Sequence, residues 1–165
     1  IGLSWMGGIY NKFEEDGLTL DEKRRIDLFA IDFNTTLKTK TYINGEFVWA
    51  FVNVPTTYSQ QFGNRQRGGF VDVVQPIIKR KMLGFEKAVL NVCTRFEYAD
   101  FNVGTFNETG QNIRDDILAI IPGISFRPYP QTVLRANYRY QWDTDILGNP
   151  ASKMAVYQFG FSSYF

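Results

Sequence analysis

The stretch Thr132–Trp142, T-V-L-R-A-N-Y-R-Y-Q-W, separates its side chains by parity. Leu134, Ala136, Tyr138, Tyr140 and Trp142 fall on one side, while Arg135, Asn137, Arg139 and Gln141 fall on the other. A β-strand sends successive side chains to opposite faces, so this stretch divides an aromatic surface from a charged, wet one. The two arginines repeat at the strand period.

The same parity extends outward through the chain. Gly2–Phe13 sets Leu3, Trp5 and Ile9 against Ser4, Tyr10 and Lys12. Arg25–Lys38 sets Phe29, Ile31, Phe33 and Leu37 against Asp32, Asn34, Thr36 and Lys38. Tyr42–Val54 places Ile43, Phe47, Trp49 and Phe51 opposite Asn44 and Glu46. Gly69–Ile78 is nearly all apolar; Asp72 is assigned to the polar side, which leaves Gln75 without a role. Ala88–Phe101 divides Leu90, Val92, Phe96 and Tyr98 from Asn91, Cys93, Arg95 and Glu97. Asp115–Arg127 offers Leu118, Ile120, Ile124 and Phe126 to the apolar side. Proline cannot donate to a ladder, so Pro122 predicts a bulge at Pro122–Gly123. The last strand is Lys153–Phe165.

These eight expected strands are joined by connections of alternating length. Residues 14–24, 55–68 and 102–114 form long polar loops, 39–41 and 128–131 short turns, and 79–87 and 145–152 intermediate links. Outer-membrane barrels have short turns at one rim and long loops at the other. If Phe165 ends the last strand at the periplasmic rim, every long loop falls outside. Trp49, Phe51, Tyr140 and Trp142 then lie toward the outer interface, and Tyr42, Phe126, Phe161 and Phe165 toward the inner one, where amphipathic rings collect.

Composition narrows the function classes. The 18 basic and 17 acidic residues nearly cancel, which gives no field for nucleic acid. With 15 Phe and 9 Tyr the chain is rich in aromatics, yet no window approaches the ~18 apolar residues of a membrane helix. Histidine is absent and Cys93 is the sole cysteine. That removes most metal sites, any Ser-His or Cys-His nucleophile and any disulfide framework, so neither catalysis nor a cofactor is expected. Cys93 reads as a small strand filler. The acids of Glu14–Arg25 lack the spacing of a calcium loop, and the basic link Lys79–Lys87 reads as a soluble turn that could touch phospholipid headgroups.

The fold expected from these patterns is all-β: an antiparallel up-and-down transmembrane β-barrel, with residues 1–165 as one unit. The opening on Ile1 leads us to expect either a removed leader or, by preference, the C-terminal piece of a longer chain. The terminal F-G-F-S-S-Y-F resembles the C-terminal signal of bacterial outer-membrane proteins. Phe165, Phe161, Phe159 and Tyr157 carry its spacing, and Ser163 departs from it.

G-G-F-V-D-V-V-Q-P, L-N-V-C-T-R-F-E-Y-A-D-F-N and G-I-S-F-R-P-Y-P-Q-T-V-L-R-A-N-Y-R-Y resemble the last strands of the phosphate-selective porin (porin O and P-like) superfamily. The resemblance covers roughly residues 68–165. It implies a barrel of about sixteen strands, of which these eight are the C-terminal half, and a possible homo-trimer in outer-membrane lipid. Anion selectivity in that family depends on basic ladders along the pore. Here the inward candidates mix Lys12, Lys38, Arg95, Arg127, Arg135 and Arg139 with Asp32, Glu46, Asp72, Glu97 and Asp143.

The expected function is therefore an outer-membrane channel for passive diffusion of small polar or anionic solutes. Its pore-lining residues are Asp32, Glu46, Arg95, Glu97, Arg127, Arg135, Asn137 and Arg139. A basic stripe of Arg135, Arg139 and Arg95 would set ion preference, and acids on other strands would add a transverse field. In the competing arrangement these charges satisfy one another inside a filled barrel, Arg95 with Glu97 and Asp143 with Arg139. Two alternatives accompany the channel: a closed eight-stranded structural or adhesion barrel, and a soluble lipocalin-like binder whose Phe-rich face points inward around a ligand.

Overall fold

The computed structural model describes residues 1–55 and 63–164; Phe165, and with it the role expected of the terminal ring, lies outside them. Among the described residues all regular structure is β. The elements are β1 (Gly2–Ile9), β2 (Glu14–Glu15), β3 (Leu18–Thr19), β4 (Arg25–Thr36), β5 (Tyr42–Val52), β6 (Arg65–Lys79), β7 (Val89–Asp100), β8 (Asp116–Arg127), β9 (Thr132–Thr144) and β10 (Ser152–Ser163). Eight of them form one antiparallel sheet in the order β1-β4-β5-β6-β7-β8-β9-β10. Every neighbour in the sheet is a neighbour in the chain once the small hairpin β2–β3 is set aside. That hairpin occupies the segment 14–24 expected to be an unpatterned loop, turning on Asp16 and Gly17, both at positive φ. β1 and β10 are the edges of the large sheet and do not pair with each other, so among the described residues the sheet is open and does not close into a barrel.

Register fixes which side chains share a face. Rows such as Asn44↔Asp72, Asp72↔Arg95 and Arg95↔Ile121 run across the sheet on one side. Rows such as Phe29↔Trp49, Trp49↔Arg67 and Arg67↔Asp100 run on the other. The first is the cavity face and the second the aromatic face. Asp72 takes the side expected of it. Gln75 belongs to the aromatic face, where its amide accepts from Thr41 Oγ1 at 2.5 Å and donates to the Thr39 carbonyl at 3.4 Å, which ties the turn 39–41 to β6. Tyr42 belongs to the cavity face rather than to an interfacial ring.

The bulge expected at Pro122–Gly123 is absent. β8 stays in one register with β9 from Ile120↔Tyr140 to Gly123↔Asn137, with Ile121 and Pro122 unpaired on that side. The missing N–H thus opens the ladder for two residues without inserting one. The register shifts instead between Pro76 and Ile78, near the end of β6 and past its last pair with β5, Tyr42↔Val74, so only the ladder to β7 has to absorb the extra residue.

This sheet buries little. The buried apolar side chains are Ala88, Ile113, Ala119, Ile121 and Val133, whereas Leu3 and Phe159 are 81% and 82% exposed. What packs the aromatic face is ring against strand. The Phe33 ring covers Gly45, and Phe47 covers Gly69; such rings shield a backbone that has no Cβ of its own. A Cβ on Gly45 would lie 2.7 Å from the Phe70 carbonyl oxygen and 2.8 Å from the Phe33 ring. Gly45→Val is therefore expected to cost about 1–3 kcal/mol through overpacking. Gly8→Ala, where a Cβ meets nothing within 4 Å, should stay within about 0.5 kcal/mol of the parent. Urea midpoints of the folded protein measure both.

Candidate functional site

Side chains from β5 through β10 line one cavity of about 720 Å³ on the cavity face. The sheet therefore curls toward that side. At its centre Arg95 donates from Nε and Nη2 to the two oxygens of Asp72, both at 2.6 Å, in a bidentate pair across β6 and β7. Its guanidinium lies 4.2 Å from the centre of the Phe70 ring, and Nη1 reaches Glu97 at 3.4 Å. The other Glu97 oxygen accepts from Arg139 Nη1 at 2.6 Å. Arg139 Nε donates to Gln141 at 2.6 Å, and the Gln141 amide donates to Asp143 at 2.5 Å.

Glu97 and Arg139 belong to β7 and β9, with β8 between them. They meet because the row Glu97↔Ala119↔Gln141 has alanine at its centre, fully buried under the crossing side chains. A larger residue there would fill the space the ion pair uses. Gly123 plays the same part between Cys93 and Asn137. Asn91 donates to Ser125 at 2.9 Å in a buried pair closer to the turns.

The expected site residues divide into three groups. Arg95, Glu97 and Arg139 are brought into one network. Asn137, Arg127 and Arg135 line the same cavity, but no acid partner for either arginine occurs among the described residues; Arg127 only reaches the Pro130 carbonyl at 3.4 Å. Asp32 and Glu46 stand directly opposite each other on β4 and β5, separated from Glu97 in the same row by Phe70. Glu46 lines a neighbouring depression of about 470 Å³ with Glu97 and Arg139, and Asp32 leans over Gly2 of β1. Like charges across a strand pair repel, so this acidic pair is a field source rather than a structural bond.

The expected pairing of Asp143 with Arg139 is indirect, through Gln141. Lys12 pairs with Glu15 beside the small hairpin, and Lys38 sits in the turn after β4, so neither is a strand residue. Lys40, Tyr42 and Gln158 also line the cavity. Lys40 was hidden because it occupies a turn at positive φ, where alternation carries no information. No group of three or more metal-ligating side chains occurs among the described residues.

At the loop end, the Asp145 carboxylate accepts from the Asn149 side chain at 2.8 Å and from the N–H groups of Leu147 and Asn149 at 3.0 and 3.2 Å. The Asn149 side chain, followed by the backbone donors, holds its pKa below the usual carboxylate value. In the same way Arg24, bonded through Nε at 2.8 Å, lowers that of Asp21. Because the folded pKa is depressed, the support Asp145 gives its turn is present above the ordinary value of about 3.9 and is lost as pH falls through the folded one. Amide exchange at Leu147 and Asn149, corrected for intrinsic rates, should accelerate below that range.

Comparison with protein-family models, curated proteins and solved structures gives no match. The fold thus stands as an antiparallel eight-stranded meander, with no family identified.

The network predicts an uneven response to mutation. Glu97→Ala removes the carboxylate that Arg95 and Arg139 share and is expected to cost about 1.5–3 kcal/mol in urea unfolding, the usual range for a hydrogen bond to a charged group. Arg135→Ala, which breaks no bond in the structure, should fall within about 0.5 kcal/mol.

Proposed function

We propose that the chain forms part of an outer-membrane β-barrel of porin type, whose cavity face lines a water-filled path for small polar or anionic solutes. The reading involves no catalysis and no cofactor. One observation carries it. On the aromatic face, charged strand residues occur only at the loop end: Arg25, Asp27, Arg65, Arg67, Asp100, Asp116 and Lys153. From there to the turns the face carries no charge on any of the eight strands; Phe, Trp, Tyr, Leu, Ile and Val dominate it, with Thr94 polar in its middle and Thr35, Gln75, Thr132 and Ser163 at the turn end. An apolar band bounded by polar residues suits a hydrocarbon layer, which about 9–11 strand residues cross. β7, β8 and β10 are each 12 residues long and β6 is 15.

The open edges support the larger barrel. Unpaired backbone groups are not tolerated in hydrocarbon, so in a membrane β1 and β10 must pair with further strands. A closed eight-stranded barrel would instead pair them with each other. Against the lipocalin-like alternative, the cavity of about 720 Å³ lies on the polar face, and the depression among Phe126, Phe159 and Phe161 on the aromatic face is smaller, about 440 Å³.

Charge is sorted along the proposed path. Asp32 and Glu46 form an acidic strip on β4 and β5. The Asp72–Arg95–Glu97–Arg139 chain neutralises the middle. Arg127 and Arg135, with Lys40 across the cavity, leave a cationic surplus toward the turn end. That surplus favours anions.

Full-length protein in planar bilayers is expected to give ohmic conductance steps. Arg127→Ala with Arg135→Ala should lower the anion-to-cation permeability ratio from reversal potentials by up to about fivefold, since one unit charge at 4 Å in water is worth about 1 kcal/mol. Absence of steps sinks the channel reading.

A further inference from the structure

The charges at the loop end of the aromatic face are not distributed evenly. On β4 to β6 three arginines border a group of rings: Arg65 and Arg67 stand level with Phe51 and Trp49, and Arg25 one same-face row further out than Asp27. Phe29 and Phe51 meet edge to face at 5.9 Å, and Trp49 lies beside them. Across the ladder Phe51 pairs with Arg65 and Trp49 with Arg67. Arg65 is exposed, with no side-chain partner among the described residues. Arg25, its side chain 60% exposed, holds Asp27 at only 3.4 Å. Arg67 is oriented from below: Nη2 lies 3.3 Å from Asp100, which also accepts from the Tyr98 hydroxyl at 3.2 Å. The same Nη2 also lies 3.5 Å from the Tyr98 hydroxyl, so Nε and Nη1 keep their donors without a partner among the described residues.

Rings that end an apolar band, flanked in the same rows by exposed guanidinium groups, match a lipid whose acyl chains meet the rings and whose headgroup carries phosphate. Arginine suits phosphate because its planar fork donates two parallel bonds. The turn end of the same face carries no strand charge, so only one leaflet is met this way. We propose that Arg25, Arg65 and Arg67 bind headgroup phosphates of lipids in the leaflet at the loop end. The inference rests on the membrane reading above.

The test uses full-length protein in phosphatidylcholine vesicles doped with diphosphoryl lipid A or with its dephosphorylated form, scored by lipid retained through purification. Wild type should retain the phosphorylated form preferentially, and inorganic phosphate should not displace it. Arg65→Gln with Arg67→Gln should lower retention by about fivefold per cation removed, leave conductance unchanged, and be partly rescued by lysine at both positions. Equal retention of the two lipids, or an unaffected double variant that inserts and conducts, overturns the lipid site alone. Protein that fails to insert overturns the lipid site and the membrane reading together.

Discussion

A single unbroken antiparallel ladder governs this molecule. With eight strands paired neighbour to neighbour, the facing of one residue determines the facing of every residue in its row, because the side-chain period is two. A slip of one residue anywhere would carry arginines onto the aromatic face and rings into the cavity. In a sheet with so little buried apolar surface, this segregation takes the place of a conventional core. The backbone bonds hold the strands together, and each face keeps its own chemistry from one edge of the sheet to the other.

The charge network follows from the same geometry. Side chains two strands apart touch only where the strand between them is bare, and Ala119 supplies that gap under Glu97 and Arg139. The network cross-braces β6, β7 and β9 while cancelling most of its own field. The two arrangements weighed for these charges, a lining of the path and internal packing, are therefore not exclusive. Arg95, Glu97 and Arg139 pair among themselves, whereas Arg127 and Arg135 leave their field in the cavity.

Much of the fold was legible because alternation is a local signal. The strand at 132–142 and the facing of Arg95, Glu97, Arg135 and Arg139 could be read directly, and so could the eight-strand count. What escaped depended on partners. The pairing of Arg139 with Glu97 needs the residue on β8 between them. Lys40 and Gln75 act through a turn whose shape no alternation reports. The missing donor of Pro122 predicts a bulge, but the ladder to β9 opens in place over Ile121 and Pro122, an outcome that depends on the neighbouring strand. The bulge at Pro76–Ile78 lies in an apolar run where parity is mute. The open edges of β1 and β10 belong to the whole sheet and leave no mark in either strand.

Because each strand touches only the strands before and after it, the hairpin is the unit of construction. Removing or duplicating a hairpin at an edge changes the circumference of the sheet by two strands and preserves the alternation of long loops and short turns. It also leaves the facing of all remaining side chains untouched. The Arg95 network spans β6 to β9 and would be carried intact through such a change. A lineage built on this plan can therefore vary the width of its sheet while inheriting the same electrostatic brace.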